Sequence, residues 1–317
     1  MSSSFSTKNS AQITPARVAT RDCIGARNAV IVPVGPGNIE NSLDTIDSVL
    51  HYIDPGDEVV VVDDFTHDGT YEKLAELKHD QLTLIRNDRS NGYRGLHVTV
   101  TNALRHLAAR GPFAIILRLD WDALVTGPHV FDEVARFLDA NRHVGICGRH
   151  LMNYDGSSKS YRVHTEDALN RIGYPPPDDR DTGGIGWIAR RAQLSGWGLG
   201  ENVFGGAFFL RFECVEAMLA DGFLDRIDDP RFWLIEDVFF TMCALATGFD
   251  RAHFAAPIAP YAFAYRDLPA PPAEIIERGI KVVHSVDHGR WASAEANGGL
   301  TAREIFKRHR QGEVGHV

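Results

Sequence analysis

Residues 113–122 read Phe-Ala-Ile-Ile-Leu-Arg-Leu-Asp-Trp-Asp, and this stretch decides the fold. Ile115, Ile116, Leu117 and Leu119 form an apolar run of strand length that ends in two carboxylates one residue apart. Side chains alternate faces along a strand, so Asp120 and Asp122 share one face and Trp121 takes the other for as long as the chain stays extended. Hard oxygen donors on one side suit Mg2+ or Mn2+, ions that keep open positions for water and phosphate oxygens. A lone Asp-x-Asp reads as readily as a strand end with solvated acids, so its neighbours in the chain must discriminate.

Upstream, strand and helix alternate. Ala29-Val30-Ile31-Val32-Pro33-Val34 reads as a buried parallel strand, followed by a Gly35-Pro36-Gly37 turn and a helix from Ile39 to Tyr52. Pro55-Gly56 breaks the chain, and Glu58 to Asp64 forms a second strand that again ends in acid. A helix through Tyr71, Leu74 and Leu77, a strand at Leu82–Ile85, a polar stretch over 86–95 and a helix over 98–109 lead to the opening strand. Such βαβ units give an open α/β sheet, which binds ligands at the carboxyl ends of its strands. Gly35-Pro36-Gly37 lacks the third glycine of a dinucleotide fingerprint, which disfavours an NAD-type enzyme.

Downstream, Val130 to Ala140 reads as a helix and Val144 to Cys147 as a strand. The polar stretch 151–200 reads as a long binding loop or lid in which Trp187, Arg190, Arg191 and Trp197 offer ring faces and cations, or pack within the loop. Gly205-Gly206 precedes another apolar run, where paired glycines permit close approach of a ligand. Glu236-Asp237 opens an apolar helix; helix capping accounts for one of these acids more easily than for both. His284 and His288 follow a proline-rich loop, as surface histidines or as ligands, and the charged residues 303–317 read as peripheral.

The 317 residues, 44% of them hydrophobic, can bury one large α/β core or two lobes. A net charge of −9 argues against a nucleic-acid partner. Cys23, Cys147, Cys214 and Cys243 show no paired spacing and read as buried thiols of a reducing compartment. No apolar run reaches membrane-span length and residues 1–10 lack a signal-peptide core, so a cytoplasmic protein with no integral membrane segment is expected. Residues 1–26 read as a flexible tail.

Pro33-Val34, then Val-Val-Asp63-Asp64, then Leu-Asp120-Trp-Asp122, then Gly-Gly followed by Glu236-Asp237 resemble, in that order, the inverting family-2 glycosyltransferases of GT-A fold. Val59–Thr70 is similar to that family's Val-Asp-Asp-x-Ser-x-Asp-Gly-Thr hallmark, with Thr66-His67 in place of Ser-Thr. The resemblance implies a Rossmann-like, mostly parallel central sheet flanked by helices. A nucleotide-sugar-binding half would span 27–150, an acceptor-binding and catalytic half 151–266, and a C-terminal extension 267–317. It further implies Pro33 and Val34 beside the nucleotide base, Asp64 accepting from the base ring with Asp63 nearby, Arg94 at the diphosphate, and Trp121 at the nucleotide. Asp122 would hold Mn2+ or Mg2+, Asp120 the ribose or a metal-bound water, and His284 would complete the metal site. Asp237 would be the catalytic base, with Glu236 beside the acceptor. The donor would be a UDP-sugar and the acceptor a soluble saccharide or small molecule. A retaining transferase, a sugar-nucleotide nucleotidyltransferase and a non-catalytic nucleotide-sugar-binding protein are the alternatives; the nucleotidyltransferase is disfavoured because no basic residue follows the first strand at Gly35–Glu40.

Overall fold

The computed structural model describes residues 20–150, 160–172, 184–225 and 233–313. The first half follows the expected alternation: β1 Ala29–Val34, α1 Ile39–Tyr52, β2 Glu58–Asp63, α2 Thr70–Glu76, β3 Leu82–Arg86, α3 Leu96–Arg110 and β4 Ile115–Leu119. There follow β5 Ala123–Val125, α4 Asp132–Ala140, β6 Val144–His150, α5 Arg162–Arg171, α6 Ile185–Leu194, β7 Val203–Arg211 and α7 Phe212–Ala220. The chain continues through α8 Glu236–Ala246, β8 Asp250–His253, β9 Tyr261–Ala262, α9 Pro272–Glu277, β10 Val282–His284 and α10 Ala302–Arg310.

Seven strands form the central sheet in the order β3-β2-β1-β4-β7-β6-β8. All run the same way except β7, which is antiparallel to β4 and to β6. The architecture is thus the expected α/β one, a mostly parallel sheet with helices on both faces. β1, β2 and β4 are buried along their whole length, which is why they read as continuous apolar runs rather than alternating ones. Burying Ile115, Ile116, Leu117 and Leu119 completely contributes roughly 1.5–3 kcal/mol each. The order of strands reverses between β1 and β4, and at such a switch point the carboxyl ends of the strands open a crevice.

A second sheet, β5-β10-β9, lies beyond that end. Its register pairs His284 with Ala123, so the strand that carries the histidine is laid against the residue that follows Asp122.

Several expectations are corrected. Part of the tail over 1–26 is anchored: Cys23 is buried, and its N–H donates to Asp139 Oδ1 at 2.8 Å. Residues 1–19 lie outside the described residues. The stretch 151–200 is not one loop, since it contains α5 and α6; residues 151–159 and 173–183 lie outside the described residues. Trp197 is buried and donates to the Glu201 carbonyl at 2.9 Å, while Trp187 packs edge-on against Phe223 with Arg191 over its ring. These tryptophans serve the core. Nor are residues 303–313 peripheral: Phe306 is buried, and Arg303 and Arg310 both reach Asp44 of α1, at 2.9 and 2.6 Å. Their charges are matched by α1 acids, which a reading of composition along one segment does not reveal. Residues 314–317 lie outside the described residues. Among the described residues no helix is long and apolar enough to cross a membrane, and the four cysteines are buried and free, as expected.

Candidate active site

A cavity of about 490 Å³ opens at the carboxyl end of β4 and is lined by Asp120, Asp122, Glu236, Asp237 and His284 together. Extended geometry is not what brings the first two together. The strand stops at Leu119, and a turn closed by the Ala123 N–H on the Asp120 carbonyl, at 3.1 Å, carries the chain on to Asp122. Ligand atoms of Asp120, Asp122 and His284 nonetheless lie within 4.8 Å of one another. Asp122 Oδ1 is 3.2 Å from His284 Nε2, and Asp120 Oδ2 is 3.8 Å from it.

The histidine is oriented from behind. Its Nδ1 contacts the Ala264 carbonyl, which can only accept, so Nδ1 carries a proton and Nε2 is the atom offered to the carboxylates. Burial alone would lower the His284 pKa, but Asp122, Asp120 and the Ala264 carbonyl together outweigh it and raise the value. Burial likewise works to raise the Asp122 pKa, and the charges of His284 and His288 outweigh it and lower the value. Two carboxylates and one imidazole nitrogen converging on one corner form a donor set that fits Mn2+ or Mg2+. Gly206 makes room for the ring: a Cβ there would sit 2.1 Å from His284 Nε2, and its φ of +88° favours glycine. The glycine signal was legible, but what approaches Gly206 closely is the protein's own histidine.

On the opposite wall, Glu236 and Asp237 occupy the first turn of α8. Asp237 Oδ1 accepts from the Val238 N–H at 2.8 Å, a free N–H of the first turn, while the N-cap position itself is Ile235 and has no side-chain cap. Its Oδ2 accepts from Asn202 Nδ2 at 2.6 Å and from the Gly205 N–H at 2.9 Å. Burial raises the Asp237 pKa even against these hydrogen bonds. Glu236 lies beside Arg118, with Oε1 2.8 Å from Nε, and burial still pushes its carboxyl up to about 8.

Other expected residues lie elsewhere. Asp64 is buried and already engaged: Asn87 Nδ2, Ser90 Oγ, Thr99 Oγ1 and the N–H groups of Asn91 and Gly92 all donate to it at 2.8–3.0 Å. These contacts make Asp64 an anchor of the 87–92 loop and tie that loop to Thr99 of α3. Asp63 is fully buried, accepting from Thr66 Oγ1 at 2.5 Å with Arg86 Nε 3.2 Å away. Arg94 stacks on the Trp233 ring at 4.9 Å, and its neighbour Tyr93 lines the cavity instead. Pro33, Val34 and Trp121 do not line the cavity; the Trp121 carbonyl accepts from Thr45 Oγ1 at 2.7 Å and from Arg303 Nη2 at 3.2 Å.

Residues that sequence reasoning missed are Arg118, Asn202, Tyr93, Tyr161, Tyr265 and Arg266, of which all but Asn202 line the cavity. Only Arg118 carried a signal, as a charged residue inside an otherwise apolar strand two positions before the acid pair.

The family model for Glycosyl transferase family 2 matches residues 30–214, more than half of the chain. The match ends before Glu236 and His284. No curated protein matches the chain significantly. Among solved structures, the mannosyltransferase PcManGT of Pyrobaculum calidifontis, in complex with GDP-Man and Mn2+, is 18% identical with a TM-score of 0.45 over 78% of this chain and 59% of that one. Residues 1–349 of TarS from S. aureus are 19% identical with a TM-score of 0.42, over 72% and 58%. The chain thus spans about three-fifths of the length of these two structures.

Proposed function

This chain belongs to glycosyl transferase family 2, and from that premise we propose that it moves a sugar from a nucleotide diphosphate sugar, a UDP-sugar, to a hydroxyl of a soluble saccharide or small-molecule acceptor, with inversion. The observation that carries the proposal is the meeting, across one cavity, of the Asp120–Asp122–His284 corner and the Asp237 carboxylate.

Asp122, His284 and one oxygen of Asp120 are the groups that would hold Mn2+ or Mg2+. Bound there, the ion supplies Lewis-acid stabilisation of the negative charge that builds on the departing diphosphate. Asp237 takes the proton of the attacking hydroxyl through Oδ1, the oxygen left with spare acceptor capacity, as the new C–O bond forms at the anomeric carbon and the bond to the diphosphate breaks. Asn202 and Gly205 fix the plane of that carboxylate, and burial makes it a stronger base. Glu236, beside it, borders the acceptor.

The halves follow from this assignment: 27–150 for the nucleotide, with Pro33, Val34 and Trp121 near the base, 151–266 for the acceptor, and 267–317 as the segment that contributes His284. The test is a transfer and donor-hydrolysis assay with UDP- and GDP-sugars, with and without Mn2+. Metal-dependent release of UDP is expected; release from GDP-sugars alone would change the donor, and no release from any donor would refute the proposal.

A further inference from the structure

Arg118 is a buried cation in this cavity to which the chemistry above gives no role. It is 1% exposed and lines the cavity floor between the two walls, with Nη2 2.7 Å from Asp120 Oδ1 and Nε 2.8 Å from Glu236 Oε1. These two ion pairs engage Nη2 and Nε, and Nη1 has no hydrogen-bond partner among the described residues. Arg211, equally buried on the adjacent strand β7, provides an internal contrast. Its Nε donates to the Val144 carbonyl at 3.1 Å, its Nη2 to the Leu138 carbonyl, and its Nη1 reaches the Arg21 carbonyl and Cys23 Sγ. Arg211 thus has a protein acceptor for each of these nitrogens, whereas the Nη1 of Arg118 has none among the described residues. Buried donors without acceptors are costly, and proteins keep them chiefly where a ligand or water completes them.

The position indicates what completes it. In the reaction proposed above, on which this inference rests, the diphosphate lies at the Asp122–His284 corner and the attacking hydroxyl at Asp237. The transferred sugar must span the space between, and Arg118 is its floor. We propose that Arg118 is a specificity-determining contact whose guanidinium donates hydrogen bonds to hydroxyls of the transferred sugar, and that this sugar is a neutral one. Its positive charge is already balanced by Asp120, and the Glu236 and Asp237 carboxyls crowd the same cavity, so an acidic sugar would bring a further carboxylate into a buried site already lined with acids.

The test is calorimetric binding, with Mn2+ present, of UDP, GDP, UDP-glucose, UDP-glucuronate and GDP-mannose to the wild type and to Arg118→Lys. The wild type should bind a neutral nucleotide sugar at least about 10-fold more tightly than the glucuronate, and Arg118→Lys should lose about 10-fold for that neutral sugar while holding the bare diphosphate within about 3-fold. Equal losses for sugar and diphosphate, or no loss for either, would make Arg118 a scaffold residue and overturn the assignment. A wild type that binds none of the diphosphates would overturn the proposed function and this inference with it. If the lysine variant does not fold, single-deoxy sugar nucleotides on the wild type decide: one position should cost about 10-fold, and a uniform series would overturn the contact.

Discussion

The His284 imidazole lies over Gly206 so closely that a Cβ at residue 206 would come within 2.1 Å of Nε2. Gly206→Ala should therefore push the ring out of line with Asp122, and it strains the β7 backbone at a φ of +88°. Mn2+ affinity measured by electron paramagnetic resonance is expected to fall about 10–100-fold, as it does when a metal ligand loses its support. An alanine variant with unchanged affinity would remove His284 from the metal site.

Asp122→Asn should abolish metal-dependent nucleotide binding and transfer together, because it replaces the carboxylate paired most closely with His284. Near-normal turnover would end the assignment of this corner.

Asp237→Asn should leave donor binding largely unchanged and lower kcat by about 10²–10⁴-fold, the usual contribution of a general base. Steady-state kinetics with saturating donor checks this; loss of donor binding with kcat preserved would place Asp237 elsewhere in the mechanism.

Metal affinity should depend on pH through His284. Its pKa is raised in the metal-free protein by Asp122, against burial, so a proton has to leave Nε2 before the nitrogen can ligate. Apparent Mn2+ affinity should rise about tenfold per pH unit below that raised value and level off above it. For stability without metal the signs are opposite: the His284 contribution is present below its unfolded pKa and lost as pH rises through the folded one. The Asp122 contribution is present above its unfolded pKa and lost as pH falls through its lowered one. A flat Mn2+ affinity between pH 5.5 and 7.5 (a range of about two units around a histidine's ordinary pKa) would exclude the histidine as a ligand.

Asp64→Ala would strip acceptors from the 87–92 loop and should cost roughly 3 kcal/mol or more in urea unfolding. Full stability combined with loss of nucleotide binding would instead return Asp64 to the nucleobase.

The parallel half of the sheet was legible because strands buried on both faces write themselves as unbroken apolar runs, and β1, β2 and β4 do so. Asp120 and Asp122 were legible as acids just past such a strand, and Asp237 as an acid in the first turn of an apolar helix. The short strands β5, β9 and β10 were not, since 2–3 residues carry too little periodicity to be read, and they acquire meaning only by pairing with one another. Asn202 left no trace because its importance is a single hydrogen bond to a residue 35 positions away. The anchoring role of Asp64 was hidden for a related reason: the donors that hold it come from a loop and from α3, whose path its own motif does not encode.

His284 reaches the Asp122 corner only after β10 has paired with β5, across about half of the chain. During translation, a ribosome-bound chain that has emerged only as far as α8 already holds every carboxylate of the cavity but lacks the imidazole.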